Sequence, residues 1–334
     1  MTDRSRRPPP IAESFVHALA EARARRADLA SFVDETVSSD RPRSVFLVGS
    51  GGSYHNLGST WHLLDQHSTQ LPAFHRTSFA LAARPPALLG PASIVVAASV
   101  QGESPETLAA VDVATARGAT VLAITRQGDS SLGRRARSVT FSAAAVFVEA
   151  THLLATQLGL LLLERTGTDL DVARAWAALD RAPEVIRAAL EHADLAVLPA
   201  IARAVVDSEI TYSLYGEPNS GVATGAGLSF LTEPRKIEAE HSDVETIFGA
   251  IETLDEDMTS IVWAGDDDAR ARSLAVHRFL RSHTRSAMLV DSTALGTEFG
   301  PDEGRYLSPL VLAAVSRRLA GHIEAVSGFA ATGY

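Results

Sequence analysis

The sequence predicts an α/β fold of two tandem units, each a parallel sheet flanked by helices in a flavodoxin-like three-layer sandwich. Three observations predict it. Short, unbroken apolar runs alternate with stretches of helical periodicity. A glycine-serine turn closes the first of those runs. The second half of the chain then repeats the same order of run, turn and helix.

Residues 1–10, "MTDRSRRPPP", are rich in arginine and proline and read as a disordered tail. Over 11–43 a single N-terminal helix is expected, because Phe15, Leu19, Ala22, Leu29, Phe32 and Val33 recur at helical spacing. The first sheet unit is placed at 44–168. Its strands are "SVFLV" ending at Val48, "SIVVAA" at 93–98 and "TVLAIT" at 120–125, each bounded by turn residues. Runs without polar alternation belong to strands buried on both faces, hence a parallel sheet. The helix "SPETLAAVDVATARG" separates two of them, and the apolar "THLLATQLGLLLLE" (151–164) closes the unit.

A helical connector is expected over 169–200, and a second unit over 201–334. Its strands are "EITYSLYG" (209–216), "TSIVWAG" (259–265) and "SAMLVD" (286–291). Helices are expected near 220–232, 268–281 and 307–326. "LYGEPNSG" (214–221) stands as the counterpart of "LVGSGGSY" (47–54).

The chain has 334 residues, of which 46% are hydrophobic and 21% charged, enough for two packed cores. A formal charge of −10 argues against a nucleic-acid or membrane-surface binder, which needs a basic face. It leaves room for an anion in one local pocket. The absence of cysteine removes disulfides, thiolate catalysis and cysteine-bound zinc. No apolar run reaches membrane-spanning length, and no hydrophobic region follows the N-terminal arginines, so a cytoplasmic protein is expected. No metal or cofactor is expected.

In an open parallel sheet, ligands bind beyond the carboxyl ends of the strands. Three loops at such ends are rich in small polar residues: "GSGGSY" (49–54), "SVQGESPET" (99–107) and "TRQGDSS" (125–131). Glycine lets a ligand approach the backbone, hydroxyls donate to phosphate oxygens, and a helix start offers free N–H groups. Ser104 is a natural N-cap there, with Pro105 at the first helical position. The dinucleotide fingerprint fails because Tyr54 stands where its third glycine belongs. The phosphate-loop, H-E-x-x-H and G-x-S-x-G motifs are absent too. A small phosphorylated ligand held by hydroxyls and amides remains.

"VFLVGSGGSYH" and "SIVVAASVQGESPETLAAVDVATARGATVLAIT" resemble the sugar isomerase (SIS) domain, with its glycine-serine loop and its S-x-S-G-[NE]-[ST] phosphate loop. "YGEPNSGVATGAGLSFL" is similar to the second SIS domain in the isomerase half of glucosamine-6-phosphate synthase and in the fructosamine-6-phosphate deglycases. The resemblance implies that Ser53, Ser99 and Ser104 hold a sugar phosphate, with Thr151 nearby and Gly51 and Gly52 giving the ligand access. It also implies a homodimer with shared active sites, and the helix at 151–164, too apolar to face water on any side, is expected to lie against the second chain. Gln101 stands where the family's loop has a second serine, and Ala150 where a later loop often has one. The Gln101 amide can still donate to a phosphate.

The relatives move protons between C1 and C2 of an amine-bearing phosphosugar, which needs a positioned carboxylate and an acid–base partner. Glu233 matches the family's catalytic glutamate, although one register puts Thr232 there. Phe248 takes the place of the family's histidine and cannot transfer a proton. His241 in "EAEHSD" is the imidazole that could act in its stead. "GFAATGY" (328–334) carries no lysine where the resemblance to the synthase implies the ring-opening tail. Three functions stay open. One is an enzyme on an amino- or ketosamine sugar phosphate, performing deglycation, condensation or isomerisation. Another is a non-catalytic sugar-phosphate sensor, and the third a biosynthetic enzyme with a remodelled pocket.

Overall fold

The structure, a computed structural model, describes residues 13–40, 42–142, 147–232, 239–244, 258–295, 299–300 and 302–328. Packing divides the chain into two compact units, one over Glu13–Pro183 and one that includes Glu184–Tyr334.

The first unit begins with α1 (Glu13–Ala24) and α2 (Arg26–Asp40). Its strands are β1 (Ser44–Gly49), β2 (Ala73–Thr77), β3 (Ser93–Ala98), β4 (Thr120–Thr125) and β5 (Arg137–Thr140). Between them lie α3 (Gly52–His55), α4 (Gly58–His67), α5 (Ser78–Ala83), α6 (Pro105–Ala116) and α7 (Ser131–Arg135). The helices α8 (Phe147–Thr166) and α9 (Val172–Asp180) follow. All strands are parallel, in the order β2-β1-β3-β4-β5. Every residue of β1 and β3 is buried, as central strands covered on both faces require. On one face, Leu81 of α5 and Ala110 and Ala114 of α6 pack on Phe46, Val48 and Val95.

The second unit holds α11 (Leu198–Asp207), β6 (Thr211–Tyr215), α12 (Ser220–Thr232), β7 (Ala239–Asp243), β8 (Thr259–Ala264), α13 (Arg270–Arg281), β9 (Ser286–Asp291) and α14 (Gly304–Ser327). α10 (Ala182–Glu191) spans the boundary between the units. The sheet order β7-β6-β8-β9 reproduces the first four positions of the first sheet, again all parallel. The expected α/β fold is observed. Leu214, Val244, Val262, Val276 and Leu280 form one core between this sheet and α13. Trp263 is buried and donates its indole N–H to Ser213 Oγ at 2.9 Å.

Three expectations need correction. The single helix expected over 11–43 is two, because Arg25 N bonds Ala22 O in a tighter turn and ends the first helix. The helical connector expected over 169–200 starts inside the first unit, where α9 packs on α8. The third concerns α8. It is long and apolar enough to cross a membrane by length and composition, but every residue from Glu149 to Leu163 is buried. α1, α2, α4 and α9 surround it. Its apolarity therefore needs no second chain to cover it.

Candidate functional site

The carboxyl ends of β1, β3 and β4 bring the three polar loops of the first unit to one sheet edge. β1 runs straight into α3, and a Cβ on Gly49 would lie 2.6 Å from Tyr54 N and 2.7 Å from the Ser53 carbonyl carbon. Only glycine permits that approach. Gly51 then turns the chain at a φ of 51°. Ser53 N and Tyr54 N are bonded to Ser50 O and Gly51 O, so those two amides are not available to a ligand. The Ser53 side chain is half-buried on α3. The Tyr54 ring stacks on His75 of β2, centroids 3.8 Å apart, and the imidazole Nε2 donates to the Tyr54 carbonyl at 2.8 Å. Burial holds His75 neutral, its pKa lowered to about 4 against the pull of that hydrogen bond.

Ser99 follows β3 directly, buried at 8% exposure, with its N–H on Ile124 O. Ser104 is the N-cap of α6. Its Oγ accepts from Thr107 N at 3.4 Å and donates to Glu106 Oε2 at 3.0 Å. A phosphate at this helix start has to displace the Glu106 carboxylate from that hydroxyl. Gly102 sits at a φ of 70°, and a Cβ there would lie 2.6 Å from Ser130 Cβ. The missing Cβ lets the loop after β3 close on the loop after β4, where Leu132 N donates to Gly102 O at 2.9 Å. Glu103 accepts the N–H of Ser131 at 2.8 Å, and hydrogen bonds from the Ser131 side chain and then its backbone hold the carboxyl below the usual range.

Thr151 is buried on α8. The first turn of that helix meets the glycine-serine turn, with the Phe147 ring 3.7 Å from the position of a Gly52 Cβ. The structure therefore brings the loops carrying Gly51, Gly52, Ser53, Ser99, Gln101 and Ser104 to one edge, with α8 alongside. Two features were not singled out in the sequence. Arg126, the first residue after β4, donates Nη2 to Gln101 Oε1 at 2.9 Å. Asn56, Thr60 and His152 each bury a polar atom without a hydrogen-bond partner. Burial lowers the pKa of His152 to about 4.

The corresponding edge of the second sheet has different chemistry. Asn219 Nδ2 donates to Asp267 Oδ2 at 2.8 Å and to Gly216 O at 3.2 Å, and Ala269 N caps Asp267 Oδ1. Burial pushes Asp267 up to about 6. Arg270 forms a fork with both oxygens of Asp291 at 2.6 and 2.8 Å. This edge is acidic and largely paired within itself. His241 lies on β7 in register with Ser213. Glu233 and Phe248 lie outside the described residues.

The SIS domain family matches residues 40–161, which is the unit that carries these loops. Residues 40–161 are a SIS domain. The chain is 26% identical over 285 residues to the fructosamine deglycase FrlB of Bacillus subtilis (strain 168), covering 84% of this chain and 86% of that one. It is 32% identical over 160 residues to glutamine–fructose-6-phosphate aminotransferase (isomerizing) of Mycolicibacterium smegmatis. That match covers 45% of this chain and 25% of that one. In three dimensions it resembles a Salmonella typhimurium LT2 protein provisionally assigned as a phosphosugar isomerase. The TM-score is 0.84 at 21% identity, covering 92% of this chain and 94% of that one. The chain also resembles the C-terminal domain of glucosamine-fructose-6-phosphate aminotransferase from Francisella tularensis. There the TM-score is 0.74 at 15% identity, covering 94% and 97%. Both structural likenesses span the two units of this chain.

Proposed function

We propose that this SIS-domain protein binds a phosphorylated sugar at the carboxyl edge of its first sheet and acts at C1 and C2 of an amino- or ketosamine sugar phosphate. The observation that carries this reading is the convergence of the three hydroxyl-rich loops with the capped start of α6 at that edge. The likeness to a fructosamine deglycase over most of both chains favours deglycation among the reactions of this class.

In this reading Ser53, Ser99, Gln101 and Ser104 hold the phosphate, with Thr151 close by. Glu233, which follows α12 in the sequence, moves the proton at the carbon. His241 is its acid–base partner. The protein acts as a homodimer. Phe248 favours a second reading, a sugar-phosphate sensor that has lost its chemistry, because a phenyl ring transfers no proton.

Incubation with a panel of fructosamine 6-phosphates separates the two. Deglycation consumes water and releases a hexose 6-phosphate and a free amine, both detectable by mass spectrometry. Release that is abolished in Glu233→Gln supports the enzyme. Binding of the panel without turnover by the unmodified protein contradicts it and leaves the sensor.

A further inference from the structure

We propose that Gln101 and Arg126 form one charged clamp in this site, and that the clamp selects a phosphomonoester dianion over a monoanionic ester of the same shape. The proposal rests on the reading of the first sheet edge as a sugar-phosphate site, and names what that site discriminates.

The clamp is built by two loops that the backbone locks together. Arg126 N donates to Val100 O at 3.0 Å, and Leu132 N donates to Gly102 O at 2.9 Å. Thr125 Oγ1 adds a bond to Val100 O at 3.3 Å. Across this seam Arg126 Nη2 donates to Gln101 Oε1 at 2.9 Å. A guanidinium carries donors only, so the amide oxygen has to face it and the Gln101 NH₂ turns away with both its hydrogens. The residue that replaces the family's serine is thereby fixed as a donor.

Arg126 itself is incompletely satisfied. Its Nε is buried with no hydrogen-bond partner, and among the described residues no carboxylate pairs with it. On the loop after β3, Glu103 is engaged by Ser131 N and Glu106 by Ser104. A charged donor left without an acceptor is costly, and an anionic ligand removes that cost. Hydroxyls and amides alone serve any tetrahedral oxyanion. A fixed positive charge rewards the second negative charge that a phosphate monoester carries near neutral pH and a sulfate ester does not.

Calorimetric titration of the full chain with glucose 6-phosphate and with glucose 6-sulfate tests this. The unmodified protein is expected to prefer the phosphate by about tenfold or more, the scale of one charge-assisted bond. Arg126→Met should remove most of that preference by weakening phosphate binding, whereas Arg126→Lys, which keeps the charge, should retain part of it. A preference unchanged in Arg126→Met overturns the clamp. If Arg126→Met does not fold, as its melting curve will tell, the salt dependence of the unmodified protein decides. A steeper loss of phosphate than of sulfate binding with added salt supports the clamp, and equal slopes overturn it. Failure of the folded, unmodified protein to bind either ester removes the sugar-phosphate reading beneath it.

Discussion

Ser104 holds the first turn of α6 as its N-cap while offering the same hydroxyl to a ligand. Replacing it with alanine is therefore expected to lower stability by about 1 kcal/mol as well as affinity. Ser99, which caps nothing, should lose affinity alone when changed to alanine. Denaturant midpoints for the two variants check this, and an unshifted midpoint for Ser104→Ala would contradict the capping role. Ser104 was legible in the sequence because its partners, Glu106 and Thr107, lie within three residues. Arg126 was not, because its partner stands 25 residues away on another strand-end loop. Periodicity and turn chemistry report neighbours in the chain, and this pair is made by the sheet.

Elements with a strong local signal were read correctly. β1, β3, β4, β8 and β9 each coincide with an apolar run, and α6 starts where Ser104 and Pro105 place it. What surrounds an element was not readable. α8 has apolar residues on all sides, and the sequence could not say whether its own unit or a second chain covers them. That helix also buries His152 at a pKa of about 4. The unfolded chain takes up this proton near pH 6.5 and the folded chain only near 4, so between those values the unfolded state binds more protons. The His152 contribution is fully present above pH 6.5 and is lost as pH falls, by at most about 1.4 kcal/mol per pH unit. His75 acts in the same sense. Asp267, raised to about 6, acts in the opposite one. The difference between the unmodified protein and His152→Gln isolates the term. The variant should lose less stability between pH 6.5 and 4.5 in urea unfolding, and identical slopes would contradict the assignment.

At the scale of the whole molecule, the two units share a topology and differ in the chemistry of their strand ends. Hydroxyls, glycines and Arg126 mark the first edge, and paired carboxylates the second. The shared topology was legible from the repeated order of run, turn and helix. The contrast was not, because both turns look alike as strings of small polar residues until Asp267 is seen to close on Asn219. Assembly is a separate matter. With α8 covered inside its own unit, the proposed homodimer rests on the likeness to the SIS family alone. Light scattering at micromolar concentration is expected to return twice the mass of the chain, and a monomer would contradict the shared active sites.

The most direct test of the central claim asks which edge takes the ligand. Fructose 6-phosphate is titrated into the unmodified protein, into Ser99→Ala, and into Asp268→Ala, whose side chain is 93% exposed at the second edge. Binding should weaken by about tenfold in Ser99→Ala, the loss of one hydrogen bond to a charged group, and stay unchanged in Asp268→Ala. Full affinity in Ser99→Ala, with the loss appearing in Asp268→Ala, would contradict the placement of the site on the first sheet.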